Sequence, residues 1–360
     1  MNDAASLRLQ ATADAVLVPV LAVLLSLLLF GALIALSGYD APEAYRLMVR
    51  NATESPSEAD YVDGRGRRAL PSYLKYGFIP LEDKVPFSFH KEEQVSRTLE
   101  YAYDDFLVGT LAGALGAEDD AKAFLGRSEN WRNVIDKQSG FARGRFADGT
   151  WISPFDPSKP ASFITEGLPF QYTFFVPQNI PGLIDFLGGA QAFLGKLDKL
   201  FSDGLYDQGN EPSHHIAYLY AAAGVPAKTQ QAVRSILDSK YADRPDGLAG
   251  NDDCGQMSAW YVMSALGFYS VTPGLPRYAI GTPRFDDLTV HFASGKSLHI
   301  VAAGAEANRF YVRSVRLNGV TLDRPWILHS ELIGGGELVF EMSDQPSPGE
   351  TISPIRSPDR

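Results

Sequence analysis

The sequence has a single cysteine, Cys254, and a shortage of positive charge. One cysteine excludes an internal disulfide framework and any zinc cluster built on cysteine. The net charge of −11, with 32 basic and 43 acidic residues and no basic stripe, argues against a nucleic-acid partner. The remaining composition, 45% hydrophobic and 21% charged, is typical of a globular protein. At 360 residues the chain has room for a large core, and its length predicts two domains with an additional segment.

The N-terminal segment differs in composition from the rest of the chain. Residues 15–36 carry no charge and are long enough to cross a hydrocarbon core as a helix. A cleaved signal peptide is the alternative, but its apolar region usually spans only about 7–15 residues. In addition, Arg8 is offset by Asp3 and Asp14. We therefore predict a retained membrane helix within an N-terminal unit, residues 1–40. With the sequence Ser37-Gly-Tyr-Asp after the apolar run, residues 15–45 resemble the first helix of bacterial ABC-transporter permeases.

Helical periodicity dominates residues 41–272. Apolar side chains recur there at spacings of three and four, which predicts antiparallel helical hairpins joined by short links. The predicted helices cover residues 92–115, 117–138, 181–188, 190–201, 213–224, 227–239 and 254–267. Between them, residues 139–180 are rich in Gly, Pro, Ser and aromatic residues, and they predict long structured loops of the kind that often carry function.

The pattern changes to short β-rich runs in residues 273–350. The runs 288–292, 298–302, 311–317 and 338–342 predict strands, and Asn318-Gly319 predicts a hairpin turn. Residues 351–360 form a polar tail with proline. The predicted fold class is therefore mainly α, with a helical domain over 41–272, a small antiparallel β module and an N-terminal membrane helix.

Two loops have the same arrangement of residue types. Residues 208–215, Gln-Gly-Asn-Glu-Pro-Ser-His-His, and residues 250–256, Gly-Asn-Asp-Asp-Cys-Gly-Gln, each combine a Gly-Asn turn with carboxylates. Each runs directly into an apolar helical pattern, where the helix dipole and free amides favour a carboxylate. If the loops are neighbours, three carboxylates meet, an arrangement that suits a hard cation or the acid and base of sugar hydrolysis.

An ordered set of motifs runs through the chain. Its segments begin at Ser96 (SRTLEYAYDDF), Asn133 (NVID), Gly140 (GFARGR), Ala147 (ADGTW), Pro154 (PFDP), Phe163 (FITEG), Gln171 (QYTFFVP), Gly209 (GNEPSHH) and Gly250 (GNDDCGQMSAWY). With this set the chain resembles glycoside hydrolase family 92, the calcium-dependent exo-α-mannosidases, over about residues 42–345. The resemblance implies a partial (α/α)6 toroid beside β-sandwich structure, and hydrolysis of terminal α-mannosides with inversion.

Inversion needs two carboxyl groups about 6.5–9.5 Å apart, one protonating the leaving oxygen and one activating water. The resemblance makes Glu166 the general acid. Nearby apolar residues are expected to desolvate it and raise its pKa: Phe163, Ile164, Leu168, Phe170 and Tyr172. The base maps to Asp253, with Asp252 as the second choice. Helix capping is the alternative role for adjacent aspartates, but both are not expected to cap one helix.

The resemblance also implies Ca²⁺, which takes six to eight oxygen ligands. Glu211, Asn210 and Asp253 are the metal-ligand candidates. Four further residues are candidates for sugar binding, although each also has a structural interpretation: Gln208, His214, His215 and Asp156.

The match also has gaps. Family members are roughly twice this length and begin with a β-sandwich, so we expect a truncated or fused chain. Leu168-Pro169-Phe170 and Asn179 depart from the family pattern on the aglycone side of the pocket. Two hypotheses follow: a mannosidase acting on mannose-containing glycans outside the membrane, in the periplasm or at the cell surface, or an inactive membrane-tethered fragment that at most binds calcium or glycan.

Overall fold

The computed structural model describes residues 41–63, 65–86, 91–305 and 309–346. Helices dominate as far as residue 265, and strands dominate beyond it. The helices of the first part are α1 (Ala41–Thr53), α2 (Glu58–Val62), α3 (Leu70–Tyr76), α4 (Gln94–Ala114), α5 (Glu118–Arg127), α6 (Pro169–Tyr172), α7 (Ile180–Phe186), α8 (Ala190–Ser202), α9 (Leu219–Ala222), α10 (Pro226–Ser239) and α11 (Gln256–Ala265). One short hairpin, β1 (Ile135–Asp136) with β2 (Phe141–Ala142), lies among them.

Helix α4 is the longest helix of the described residues and confirms the helix predicted over 92–115. It buries Val95, Leu99 and Ala102 at helical spacing in the main hydrophobic core. Gly109 lets α5 approach closely, since a β-carbon there would lie 2.9 Å from the Leu125 side chain. The buried Val95, Leu99 and Ala102 fix the first half of α4 against the core, and this end of the helix carries residues of the candidate site.

A buried ion cluster anchors the middle of α4. Asp105 is fully buried and accepts hydrogen bonds from Arg67 Nη1 at 2.6 Å, from Arg127 at 2.6 Å and from the Tyr73 hydroxyl at 2.9 Å. Two cations and a hydroxyl compensate one carboxylate, which lets the charge stay buried. Asp105, the second aspartate of the SRTLEYAYDDF motif, therefore has a structural role.

Removing the Asp105 charge should destabilise the fold strongly. We expect Asp105→Asn to lower the free energy of unfolding by about 3–5 kcal/mol, because two arginines would lose their buried counter-charge. Urea unfolding followed by circular dichroism measures the change. Glu54→Gln is the matched control, since its ion pair with Arg50 is exposed, and it should cost about 0.5 kcal/mol or less. Equal effects of the two substitutions would contradict this account of the cluster.

The C-terminal part contains two sheets. Its elements are β3 (Phe268–Tyr269), β4 (Arg277–Ile280), β5 (Asp287–His291), β6 (Ser297–Val301), β7 (Tyr311–Leu317), β8 (Val320–Thr321), β9 (Trp326–Leu328), α12 (His329–Ile333) and β10 (Gly336–Ser343). The strand orders are β5-β6-β10-β7-β8 and β3-β4-β9, and β10 runs parallel to β6 but antiparallel to β7. The predicted hairpin is confirmed: Leu317 pairs with Val320, and Asn318 and Gly319 both have positive φ. Because β3 pairs with β4, this β structure begins shortly before residue 273.

The predicted fold class is wrong. The described residues form a mixed helix-and-sheet fold with ten strands in three sheets, not a mainly α protein. The strands β1 to β4 and β9 are only two to four residues long, too short to show the alternation that predicts a strand. Nor does any helix within the described ranges combine the length and apolar composition needed to cross a bilayer. The membrane helix predicted for residues 15–36 lies outside the described residues.

Candidate active site

The two Gly-Asn loops are in direct backbone contact. A β-carbon on Gly209 would lie 2.8 Å from the Ala249 carbonyl oxygen, and one on Gly250 would clash with the Gly209 carbonyl. Only glycine permits this approach. The same junction reaches a third segment, because the Asn210 side-chain amide donates to the Glu166 carbonyl at 2.6 Å. Three separate stretches of the sequence therefore meet at one place.

Carboxylates from all three stretches act on one another electrostatically. The pKa of Glu211 is raised, first by burial and then by the charges of Asp253, Glu166 and Asp207. Glu211 Oε1 is buried and has no hydrogen-bond partner among the described residues. Like charges this close to a desolvated oxygen are costly unless something positive or protonated binds there.

The adjacent aspartates have different environments. Asp252 caps α11: its carboxylate accepts from the Ser258 amide at 2.9 Å and from the Ser258 hydroxyl at 3.0 Å. Asp253 is exposed, and its side chain makes no hydrogen bond or ion pair with the residues that the structure describes. One of the pair is therefore engaged with the helix, and the other faces solvent.

This difference predicts unequal stability effects. We expect Asp252→Ala to lower the free energy of unfolding by about 1 kcal/mol, because the helix loses its capping acceptor. Asp253→Asn should change it by about 0.5 kcal/mol or less, because the side chain is exposed and asparagine accepts the positive φ of this position. Thermal and urea unfolding of the two variants test this directly. A larger loss in Asp253→Asn than in Asp252→Ala would reverse the assignment.

Glu166 lies at an open cleft with Leu168, Gln171, Tyr206 and Asp207 in its lining. The preceding amide, Thr165 N, donates to the Ser96 hydroxyl on α4 at 2.8 Å. The Glu166 side chain is exposed. Of the five apolar residues expected to desolvate it, Ile164 and Leu168 line the same cleft, whereas Phe163, Phe170 and Tyr172 lie within the main core. The predicted apolar setting of this carboxyl is therefore observed only in part.

Three of the four sugar-binding candidates are buried. Gln208 accepts from the Tyr206 hydroxyl and donates to the Tyr241 hydroxyl at 2.8 Å. His214 contacts the Gln208 carbonyl at 3.1 Å, and burial lowers its pKa. His215 contacts the Phe174 carbonyl at 2.8 Å, and burial lowers its pKa to about 4. These side chains stabilise the loops through buried hydrogen bonds, and none of them is in the lining of the cleft.

Asp156, the fourth candidate, is exposed. Its carboxylate accepts from the amide and the hydroxyl of Ser158, at 2.9 and 2.7 Å. These bonds form a local turn. No described hydrogen bond or ion pair joins Asp156 to the two Gly-Asn loops.

A polar network that sequence analysis missed joins the two loops. Gln256 Nε2 lies 3.3 Å from His214 Nδ1 and donates to the Tyr269 hydroxyl at 3.0 Å. Trp260 Nε1 donates to the His214 carbonyl at 2.8 Å, and the Tyr241 hydroxyl donates to the Met257 carbonyl at 3.2 Å. The GQMSAWY motif contains three of these residues: Gln256, Met257 and Trp260. Only the contacts in the folded protein show that Gln256 and Trp260 both bond to His214 and that Met257 accepts from Tyr241. The network fixes the loops against α11.

The site also concentrates unusual backbone geometry. Six described residues other than glycine have positive φ, and three of them are here: Glu166 (49°), Asp253 (27°) and Cys254 (57°). Such strain persists only when surrounding structure enforces it, and it clusters at functional sites. Across the described ranges, no three His, Cys, Asp or Glu side chains form a group that could by themselves hold a metal ion.

Comparison with known proteins identifies the family. Residues 17–344 match the model of the glycosyl hydrolase family 92 catalytic domain. This chain belongs to that family. The match includes most of the segment predicted to be a foreign membrane helix, so the resemblance of residues 15–45 to a permease helix is not supported. The family prediction itself, made from the ordered motifs, is confirmed.

Relatives agree with this assignment. An uncharacterized secreted glycosidase of Arthroderma benhamiae is 31% identical over 331 residues, covering 84% of this chain and 42% of that protein. A family 92 α-mannosidase of Bacteroides thetaiotaomicron, solved with mannoimidazole, is 35% identical with a TM-score of 0.80, covering 88% of this chain and 42% of that one. A family 92 inverting mannosidase of the same species is 33% identical with a TM-score of 0.79 and covers 88% and 45%. The chain thus spans less than half the length of these relatives.

Proposed function

We propose that this chain is an exo-α-mannosidase that hydrolyses terminal α-linked mannose from glycans with inversion. The observation that carries the proposal is the meeting of Glu166, Glu211 and Asp253 at the junction of the two Gly-Asn loops. Family membership and the two mannosidase structures support the substrate class. The chain covers 42% and 45% of those two mannosidases, which are about twice its length.

We assign Glu166 as the general acid. Its backbone is held from two sides, by Asn210 at its own carbonyl and by Ser96 at the preceding amide. Its carboxyl faces the open cleft, where a protonated side chain can give its proton to the leaving glycosidic oxygen. A fixed backbone and a free side chain suit proton transfer to a bound substrate.

We assign Asp253 as the general base. Its exposed, unbonded carboxylate is free to hold a water molecule and accept its proton. Asp252 remains the second choice, but its two bonds to Ser258 favour a positioning role at the start of α11. We likewise assign Gln208, His214 and His215 to positioning the loops, because their polar atoms are already bonded within the fold.

The residues present fit a bound Ca²⁺. Glu211 Oε1 is a buried carboxylate oxygen without a described partner, and Asn210 and Asp253 offer further oxygen donors beside it. Two carboxylates and an amide would leave the remaining positions for carbonyls, water and sugar hydroxyls. When bound, the ion would supply positive charge that holds two hydroxyls of the terminal mannose and favours a distorted ring.

The proposed setting is extracytoplasmic, in the periplasm or at the cell surface. The support is that the Arthroderma relative is described as a secreted glycosidase. We also propose a division into a catalytic part, residues 41–272, and a β module, residues 273–350. The two Gly-Asn loops and Glu166 all lie in the first of these.

Release of mannose tests the proposal. The purified chain should release mannose from α-1,2-, α-1,3-, α-1,4- or α-1,6-linked mannobiose, and a chelator should stop the release until Ca²⁺ is restored. Glu118→Gln, an exposed change on α5, serves as the control and should retain full activity. No release from any linkage at micromolar chain with Ca²⁺ would overturn the proposal and leave calcium or glycan binding as the function.

A further inference from the structure

One carboxyl close to the site has no role in the mechanism above. Glu100 lies on α4, one helical turn after Ser96, and is partly accessible to solvent although protein surrounds it. Within the described residues its carboxyl makes no hydrogen bond and no ion pair. An enclosed carboxyl without a partner is unfavourable to folding. Such a group is retained where it meets something that is absent from the free protein.

Glu100 and Glu166 act on the same hydroxyl. Tyr172 shares a hydrogen bond with Ser96, and its pKa is raised first by burial and then by the charges of Glu100, Glu166 and Glu93. The Ser96 hydroxyl in turn accepts from Thr165 N, next to Glu166. Ser96 and Glu100 are four residues apart and so lie on one face of α4. This face carries Glu100 toward the segment that holds the proposed acid.

Three aromatic rings lie close to this face. Tyr103, three residues beyond Glu100, lies edge-on to Phe175 with ring centroids 6.4 Å apart, and burial followed by the Glu100 charge raises its pKa. Phe175 lies 6.0 Å from the Tyr172 ring and is only partly buried. Aromatic side chains with a few polar groups are typical of sites that bind small molecules. Aromatic rings near a carboxyl suit a sugar, which has both apolar faces and hydroxyls.

We propose that Glu100 is a sugar-binding residue, whose carboxyl hydrogen-bonds hydroxyl groups of the sugar that occupies the site beside Glu166. This inference rests on the proposed function and adds a determinant of which sugar ring is accepted. Glu100 contacts the sugar and does not transfer the proton. Bound sugar hydroxyls supply the hydrogen-bond partners that the carboxyl lacks in the free protein.

The charge state of Glu100 gives a separate signature. Its pKa is raised to about 7, first by burial and then by the charge of Asp104. The ionisable groups that interact with it are Asp104 and Tyr103 on α4 and Tyr172 from the facing segment, and Glu166 and Glu93 act on that same Tyr172. A carboxyl whose folded pKa is raised reduces stability as pH increases from its unfolded value through about 7. Replacing it by a neutral isostere therefore stabilises the fold at high pH and not at low pH.

Two variants test the inference. Glu100→Gln should raise Tm by about 2–5 °C at pH 8 and leave it unchanged at pH 5. Glu100→Ala should weaken binding of free mannose by about tenfold, the loss expected for hydrogen bonds to a charged or polar group in a site. Glu118→Gln is the control, with wild-type Tm and affinity. Tm is followed by circular dichroism, and mannose binding by titration calorimetry.

The outcomes separate a structural role from a sugar-binding role. A lower Tm for Glu100→Gln at pH 8 would make the carboxyl structural and overturn the inference. Mannose affinity of Glu100→Ala within twofold of wild type would overturn it as well, as would a wild-type chain that binds no mannose.

A further variant separates this inference from the proposed function. Glu166→Gln should bind mannose like the wild type while releasing none from mannobiose. A wild-type chain that binds mannose through Glu100 but hydrolyses no mannobiose would refute the proposed function and support the binding role. A chain that hydrolyses mannobiose with the same kcat/KM before and after Glu100→Ala would refute only the binding role.

Discussion

Replacing Glu166 with Gln is expected to lower kcat/KM for mannobiose by about 10²–10⁴-fold. The amide cannot give a proton to the leaving sugar oxygen, whereas the shape of the cleft is kept. The loss should be much smaller for p-nitrophenyl α-mannoside, because nitrophenolate leaves without a proton. Initial rates on the two substrates measure both effects in one preparation.

The control for this variant is Glu118→Gln, an exposed change on α5 at a residue with no proposed role in the site. It should retain kcat/KM within about twofold, as expected for a surface change away from the site. Equal losses of Glu166→Gln on both substrates would indicate damaged binding rather than lost acid catalysis. Retention of mannobiose hydrolysis within tenfold would remove Glu166 from the acid role.

Calcium should stabilise the wild-type chain more than it stabilises Glu211→Gln. At a calcium concentration of about 100 times Kd, the ion adds about 2.7 kcal/mol to the free energy of unfolding, which appears as a higher Tm. Glu211→Gln removes the charge of the buried, unpartnered oxygen, and a tenfold weaker affinity corresponds to about 1.4 kcal/mol. Thermal unfolding with chelator and with added Ca²⁺ measures the difference.

The matched control for calcium binding is Asp207→Asn. It lies in the same loop and keeps an acceptor for the Gly209 amide, which the Asp207 carboxylate bonds at 2.8 Å. Asp207 adds negative charge near Glu211 but is not an assigned ligand, so the calcium-dependent Tm shift of this variant should fall less than that of Glu211→Gln. A Glu211→Gln shift equal to the wild-type shift would place the ion elsewhere or exclude it.

The fold was predictable where local pattern and tertiary packing agree. Helix α4 follows from apolar residues at three-and-four spacing, which its packing against the core then uses. The β7–β8 hairpin follows from Asn318-Gly319, which accept the positive φ that the turn needs. Prediction failed for strands that depend on tertiary pairing alone. Strands β3 and β9, for example, are defined by their pairing with β4. A two- or three-residue strand carries no periodicity of its own.

Prediction of the site had a similar limit. Contact between the two loops was predictable from their shared build, since Gly209 and Gly250 permit a close backbone approach that larger residues would not. The different roles of Asp252 and Asp253 were partly predictable, because two adjacent aspartates are not expected to cap the same helix. The exposure of Glu166 and the isolation of Glu100 were not, since both depend on which distant segments cover each side chain.

The histidines show why residue type alone misleads. His214 and His215 stand in a motif that resembles a sugar-hydrolase site, and their polarity indicates sugar contacts. In the fold both are buried against backbone carbonyls. The pKa of each is lowered by burial, so both rings are neutral near pH 7. Their contribution is to hold the carboxylate loops in place, which only the contacts could reveal.

The most direct test of the account is the anomeric form of the first mannose released. Proton NMR during hydrolysis of an α-mannobiose by the chain with Ca²⁺ separates α- and β-mannose before they interconvert. Glu166 as acid and Asp253 as base predict β-mannose first, with α-mannose appearing only by later mutarotation. α-Mannose as the first product, or no more mannose than Glu166→Gln produces, would contradict the account.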